Sequence, residues 1–164
     1  VFLARGHRRL ALVVPESGVA GDLASEEGFR EGVAQGGHPE ARAVVVRHNG
    51  TARNLTTRLD GLFHSAAPPT ALLVAKPLHV LMTILYLLKR GRAVPDAVSL
   101  IARDQDYTFS AVHPAIDHYG FPEAAFAQRL TRLMLMLVNQ GHLSPEPNLI
   151  FPKYARGGTV QAPA

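Results

Sequence analysis

Cysteine is absent from this 164-residue sequence. Without a thiol there is no disulfide, no thiolate metal ligand and no cysteine nucleophile, and the composition fits a reducing cytoplasm. Concentrated charge is missing as well. The net charge is +4, yet Arg5, Arg30, Arg58, Arg90 and Arg132 are spread along the whole chain. A dedicated nucleic-acid surface clusters its cations or interleaves them with aromatics, so a solvated basic surface is the simpler reading. Long apolar runs are also lacking. The longest, from Leu78 to Leu88, carries too few residues to span a bilayer, so no membrane partner is expected. No nucleophile elbow, phosphate-binding loop, HExxH or GxGxxG motif occurs, and neither does an internal repeat or a low-complexity tract.

What is present is material for one core. Hydrophobic residues make up 47% of the chain, and a domain of this size buries roughly 70% of the surface its unfolded chain exposes. The first residue is Val1, and strand signal begins by Leu10, so the sequence reads as part of something longer. Lack of a signal peptide therefore says nothing about export.

Apolar runs and periodic segments alternate. Leu10–Val14, Ala43–Val46, Thr70–Val74 and Val98–Ile101 read as buried strands. Between them, Asp22 can cap a helix running to Gln35, with Leu23, Phe29 and Val33 inward and a Glu26/Arg30 pair outward. Thr51 can cap a second helix, striped by Ala52, Leu55, Leu59, Leu62 and Phe63. Pro77 suits the first turn of a third, ending near Gly91. This is the pattern of βαβ units, and the fold class is α/β with a parallel sheet flanked by helices. The third helix is apolar nearly all round, which predicts cover on both sides, the outer one by a second subunit, with Tyr107 to Val112 joining that surface. After Asp106 the alternation loosens. Pro122 to Gln140 is a long helix with Phe126, Leu130, Leu133, Met134 and Leu137 on one side, and that stripe needs a partner surface upstream of Val1. Asn148 to Phe151 reads as a short last strand, and the tail from Lys153 is polar and glycine-rich.

In open parallel sheets ligands bind beyond the carboxyl ends of the strands. Here those ends carry Glu16 and Ser17, His48 and Asn49, Lys76, then Arg103, Asp104, Gln105 and Asp106. Polar residues directly after apolar runs suit a polyhydroxylated or charged small molecule, although loops are polar wherever they begin. Asp104-x-Asp106 has carboxylates for a divalent cation, with Arg103 competing for them, so no metal or cofactor is expected. His113 and His118 flank a short strand and are read as facing solvent or a packed edge.

Several stretches together resemble the effector-binding domain of LacI-type transcriptional regulators, a two-subdomain fold like that of periplasmic sugar-binding proteins. They are Gly6-His-Arg-Arg-Leu-Ala-Leu-Val13, Glu27-Gly-Phe29, Pro69-Thr-Ala-Leu-Leu73 and Gly91-Arg-Ala-Val-Pro-Asp-Ala-Val-Ser-Leu-Ile101 followed by Asp104, then Pro114-Ala-Ile116 and the helix from Pro122. The resemblance implies that residues 1–113 form the C-terminal subdomain, 114–141 return towards the other subdomain, and 142–164 are a return strand and tail. It implies a homodimer through the Leu78–Leu88 helix, a small sugar-like effector, and operator DNA bound by a helix-turn-helix absent from this sequence. Asp104 matches a family aspartate that accepts hydrogen bonds from effector hydroxyls. Other family pocket positions carry different residues here: Ser25 stands where the family has arginine, Lys76-Pro77 where it has Asn-Asp, Gln105 where it has a second aspartate, and Phe121 where it has glutamine. The expected ligand-binding residues are therefore Asp104, Lys76, Ser25, Gln105 and Phe121, with an unusual sugar or a sugar acid as effector. The competing readings are an exported sugar-binding protein of the same fold and, from a different class, an α/β hydrolase or sugar-modifying enzyme using Asp104 or Asp106.

Overall fold

A computed structural model describes residues 1–143 and 149–163. Ten strands and helices follow one another as β1 (Arg9–Pro15), α1 (Ala20–Ala34), β2 (Arg42–His48), α2 (Ala52–Phe63), β3 (Ala71–Val74), α3 (Pro77–Lys89), β4 (Ser99–Ala102), β5 (His118–Gly120), α4 (Glu123–Gln140) and β6 (Lys153–Ala155). They build one six-stranded sheet in the order β2-β1-β3-β4-β5-β6. All neighbours are parallel except β5 and β6, so the expected parallel sheet has an antiparallel edge.

Strand alternation sorts the core. On one face Ala11, Val13, Leu72, Val74 and Leu100 meet Leu55, Leu59 and Phe63 of α2 and Val80 and Leu87 of α3. On the other, Leu10, Ala71 and Ile101 meet Val33 and Phe29 of α1. The period of two that sends neighbouring side chains to opposite faces explains why the strands are apolar throughout. Helix α2 starts where expected, with the Thr51 hydroxyl accepting from the Asn54 N–H.

Four local expectations change. The residue flanking α1 is Val19, and Asp22 lies in the first turn, buried, rather than capping. Leu23 of α1 is exposed rather than inward. Glu26 is buried, not outward, because Arg47 of β2 takes both its carboxylate oxygens while Arg30 stands 3.5 Å away. Within the chain helix α3 is covered on one side, and the side expected to meet a second subunit is bare: Leu78, Leu85 and Leu88 are 64%, 64% and 70% exposed. The strand expected at 148–151 is not found at 149–151, Asn148 lies outside the described residues, and the pairing strand is β6 at Lys153–Ala155.

The tail after β6 is stitched into the sheet. The Thr159 hydroxyl donates to the Leu100 carbonyl at 2.7 Å, and its N–H donates to Asp117 Oδ2 at 2.7 Å. The His7 ring reaches Thr70 Oγ1, Ser99 Oγ and the Gln161 carbonyl at 2.9, 3.1 and 2.8 Å. Gly157 is required here, since a Cβ would collide with the Ala115 carbonyl. Helix α4 buries no residue. Among the described residues no helix is long and apolar enough to cross a membrane.

Candidate functional site

The parallel strands end together, and the chain turns of β1, β3 and β4 meet above them. Arg103, the first residue after β4, is the hub. Its Nε and Nη2 donate to the two oxygens of Asp104 at 2.8 and 3.0 Å. Its Nη1 donates to Asp22 Oδ1 at 2.6 Å and to Ser25 Oγ at 3.2 Å. Asp22 and Ser25 are three residues apart on α1, hence on one helical face. The far oxygen of Asp22 accepts from the Ser17 hydroxyl at 2.5 Å. The Ser25 hydroxyl itself donates to the Gly21 carbonyl at 2.7 Å.

Lys76 completes the cluster from the β3–α3 turn. Its N–H donates to Asp104 Oδ2 at 3.2 Å. To present it, Lys76 adopts φ +67°, the one positive φ outside glycine among the described residues. An L side chain in that region costs of order 1–3 kcal/mol, and such residues persist where surrounding contacts hold them. Pro77 immediately follows and fits the first turn of α3.

Electrostatics keep the cluster ionised. Burial raises the Asp104 carboxyl, but hydrogen bonds and charge from Arg103, with the Lys76 N–H and ammonium, outweigh it and hold the group below the usual carboxylate range. Asp22 behaves alike: burial opposes the charge, and Ser17, Arg103 and Lys76 more than compensate. For Arg103, burial lowers its pKa while Asp104 and Asp22 carry it above its ordinary value.

The structure thus brings together three of the expected residues, Asp104, Lys76 and Ser25. Gln105 is exposed on the next loop position and lies over Gly120, where a Cβ would strike its side chain. Phe121 follows β5, one strand further along, and is 44% exposed. Sequence reasoning missed Asp22, read as a cap, and the central role of Arg103, read as one of the polar strand-end residues and as a competitor for carboxylates. The i,i+3 spacing of Asp22 and Ser25 was the available signal.

The β2 end does not join. His48 is fully buried and packs edge-to-face on His79 of α3, with ring centroids 4.4 Å apart. Burial, then the neighbouring imidazole, lowers its pKa to about 4. Among the described residues, His48 Nε2 and Thr83 Oγ1 are buried without a hydrogen-bond partner. Asn49 accepts from the Thr51 N–H and hydroxyl, a turn role. Asp106 likewise caps a short helical turn by accepting from Thr108. His113 is exposed and His118 is half-buried against Phe109, as read from the sequence. No group of three His, Asp or Glu among the described residues is placed to hold a metal.

A cleft of about 880 Å³ runs along the α1 face of the sheet and touches the cluster only at Ser25 and Arg103. Its other walls are mainly apolar, among them Leu10, Phe29, Leu73, Ile101 and Phe151. The ionic cluster at its end holds fixed donors and acceptors. Such an arrangement suits the binding of a polar small molecule.

The fold is shared with solved regulators. A LacI-family transcriptional regulator from Bifidobacterium animalis subsp. lactis superposes with a TM-score of 0.82 at 18% identity, covering 99% of this chain and 59% of that one. A sugar-binding LacI-family regulator from Escherichia coli, complexed with phosphate, gives 0.81 at 21%, covering 98% and 58%. A dimeric Lac repressor with a C-terminal deletion gives 0.83 at 18%, covering 99% and 59%. The chain therefore spans about three fifths of the length of these structures. No curated protein matches the sequence. The family model for the periplasmic binding protein-like domain matches residues 1–160, so the chain belongs to that family.

Proposed function

We propose that this chain is the effector-binding and dimerisation portion of a LacI-type transcriptional regulator of the cytoplasm, sensing a small sugar-like molecule. The observation that carries this is the convergence of Ser25, Lys76, Arg103 and Asp104 beyond the carboxyl ends of an open sheet. That is where such sheets place their ligands. The fold shared with the regulators above supports it, and one of them is described as sugar-binding.

In this reading Asp104 accepts a hydroxyl of the effector, and Lys76 and Ser25 supply donors. Gln105 lines the edge, and Phe121 offers its face to the apolar side of a sugar ring. Residues 1–113 form one wall of the cleft, 114–141 pass towards a second subdomain, and 142–164 return. The stripe on α4 docks on that second subdomain. Operator DNA is contacted by a helix-turn-helix outside this sequence, and the effector changes its affinity by shifting the balance of two subdomain arrangements.

The dimer face is the outer side of α3. Leu78, Leu81, Leu85 and Leu88 recur at intervals of three and four, and three of them are more than half exposed. That spacing forms one seam suited to a second copy. Tyr107, 86% exposed, widens it.

A thermal-shift screen against sugars and sugar acids tests the effector role, because a ligand of the native state raises stability by RT ln(1 + [L]/Kd). A stabilising ligand is expected, with the shift lost in Asp104→Ala and reduced in Lys76→Ala. A shift unchanged by both substitutions removes the site.

A further inference from the structure

We propose that the effector is a polyhydroxylated anion, a sugar acid or sugar phosphate, whose charged group is read by the Lys76 ammonium and the open edge of Arg103. The inference rests on the effector reading above and narrows it to one class of ligand.

The hydrogen-bonding positions that the cluster leaves open select the ligand. An ionised carboxylate has about four acceptor positions. Those of Asp104 already take Arg103 Nε, Arg103 Nη2 and the Lys76 N–H, which leaves room for one ligand hydroxyl. Asp22 is spent on Arg103 and Ser17, with its side chain only 6% exposed. Ser25 already donates to the Gly21 carbonyl and accepts from Arg103. Of the five guanidinium N–H groups of Arg103, four are directed at Asp104, Asp22 and Ser25. One on Nη2 remains. The Lys76 ammonium acts on both carboxylates through charge alone, with no hydrogen bond or ion pair to a described residue, and Lys76 is exposed.

What the ion cluster leaves to meet a ligand is therefore one acceptor against several donors, and the donors are cationic; the exposed Gln105 amide at the edge adds a neutral group. A neutral sugar needs carboxylate or carbonyl oxygens for its hydroxyl protons and would find one in the cluster. A sugar acid places its anion on Lys76 and Arg103 and one hydroxyl on Asp104. Charge-assisted hydrogen bonds of this kind are about twice as strong as neutral ones. Lys76 is also separable from the scaffold: it holds Asp104 through its backbone N–H, so changing its side chain leaves the loop intact.

Isothermal titration of the chain provides the test. The probes are glucose and galactose, their uronic acids, and their 6-phosphates. At least one anion of a matched set is expected to bind tenfold or more tightly than its neutral sugar, and to weaken as salt is raised. The uronate and phosphate arms separate carboxylate from phosphate recognition. Lys76→Gln should abolish the preference while keeping the melting temperature, and Lys76→Arg should restore much of it. A neutral sugar that binds as tightly as its acid, or a preference that survives Lys76→Gln, overturns this inference and leaves the effector reading standing. Binding by none of the probes, charged or neutral, counts against both.

Discussion

Helices α2 and α4 carry the same pattern to different ends. Both place apolar residues at intervals of three and four on one side. In α2 the stripe of Leu55, Leu59 and Phe63 is buried against the sheet. In α4 Phe126, Leu130, Met134 and Leu137 are all about half exposed. An amphipathic stripe states that a partner is needed but not where the partner is. Helix α3 lies between the two: Val80 and Leu87 are fully buried while Leu78, Leu85 and Leu88 stand bare. The closed faces hold the fold, and the bare ones are where this module is proposed to meet other surfaces.

Substitutions should separate the two kinds of surface. Leu59→Ala, in the closed face, is expected to lower unfolding free energy by about 3–4 kcal/mol through lost burial and the cavity left behind, read by chemical denaturation. Arg103→Ala comes next, at about 2–3 kcal/mol, because it leaves the buried Asp22 carboxylate without its counter-ion, discounted for partial solvent access. An unchanged stability would mean that the ion cluster plays no part in joining α1 to the β4 loop.

Smaller again is the effect of pH on the closed face. Burial lowers the pKa values of His7, His48 and His79, so their rings are neutral in the fold. The unfolded chain takes up these protons near pH 6.5, whereas folded His48 does so only at about 4. Between those values the unfolded state binds more protons, and stability should fall as pH falls. His48→Phe should flatten that slope. Asp22 and Asp104, with depressed values, contribute throughout this window and lose their contribution only at lower pH, as each protonates in the fold. On the bare faces, Leu85→Arg should convert a dimer to a monomer in sedimentation velocity, and a wild-type chain that is monomeric at high concentration would remove the α3 seam. Leu130→Ala on α4 should change protomer stability by no more than about 0.5 kcal/mol.

The contrast also marks what the sequence alone conveys. Alternation of apolar runs and helical stripes is local, so the first four strands and all the long helices are legible within a residue or two. So is the Thr51 cap. What escapes is long-range pairing. Nothing near Asp22 says that its partner is Arg103, 81 residues away. Nothing near His7 points to Gln161, 154 residues on. The tail reads in the sequence only as polar and glycine-rich, yet Gly157 and Thr159 are there for a close backbone approach and for Asp117. His48 looked like part of the ligand crown because it ends a strand, but the side to which a strand's last side chain turns is set by its register. Lys76 was legible as a cation at a strand end, and its left-handed backbone was not.

The central claim is that ligand is read at the strand ends and not in the apolar cleft beside α1. Backbone amide NMR of the chain titrated with galacturonate addresses it directly. The account predicts saturable shifts concentrated around residues 22–25, 76–79 and 103–106. Shifts confined to the cleft walls near Phe29, Val33 and Phe151, with the Arg103–Asp104 loop unmoved, would contradict it.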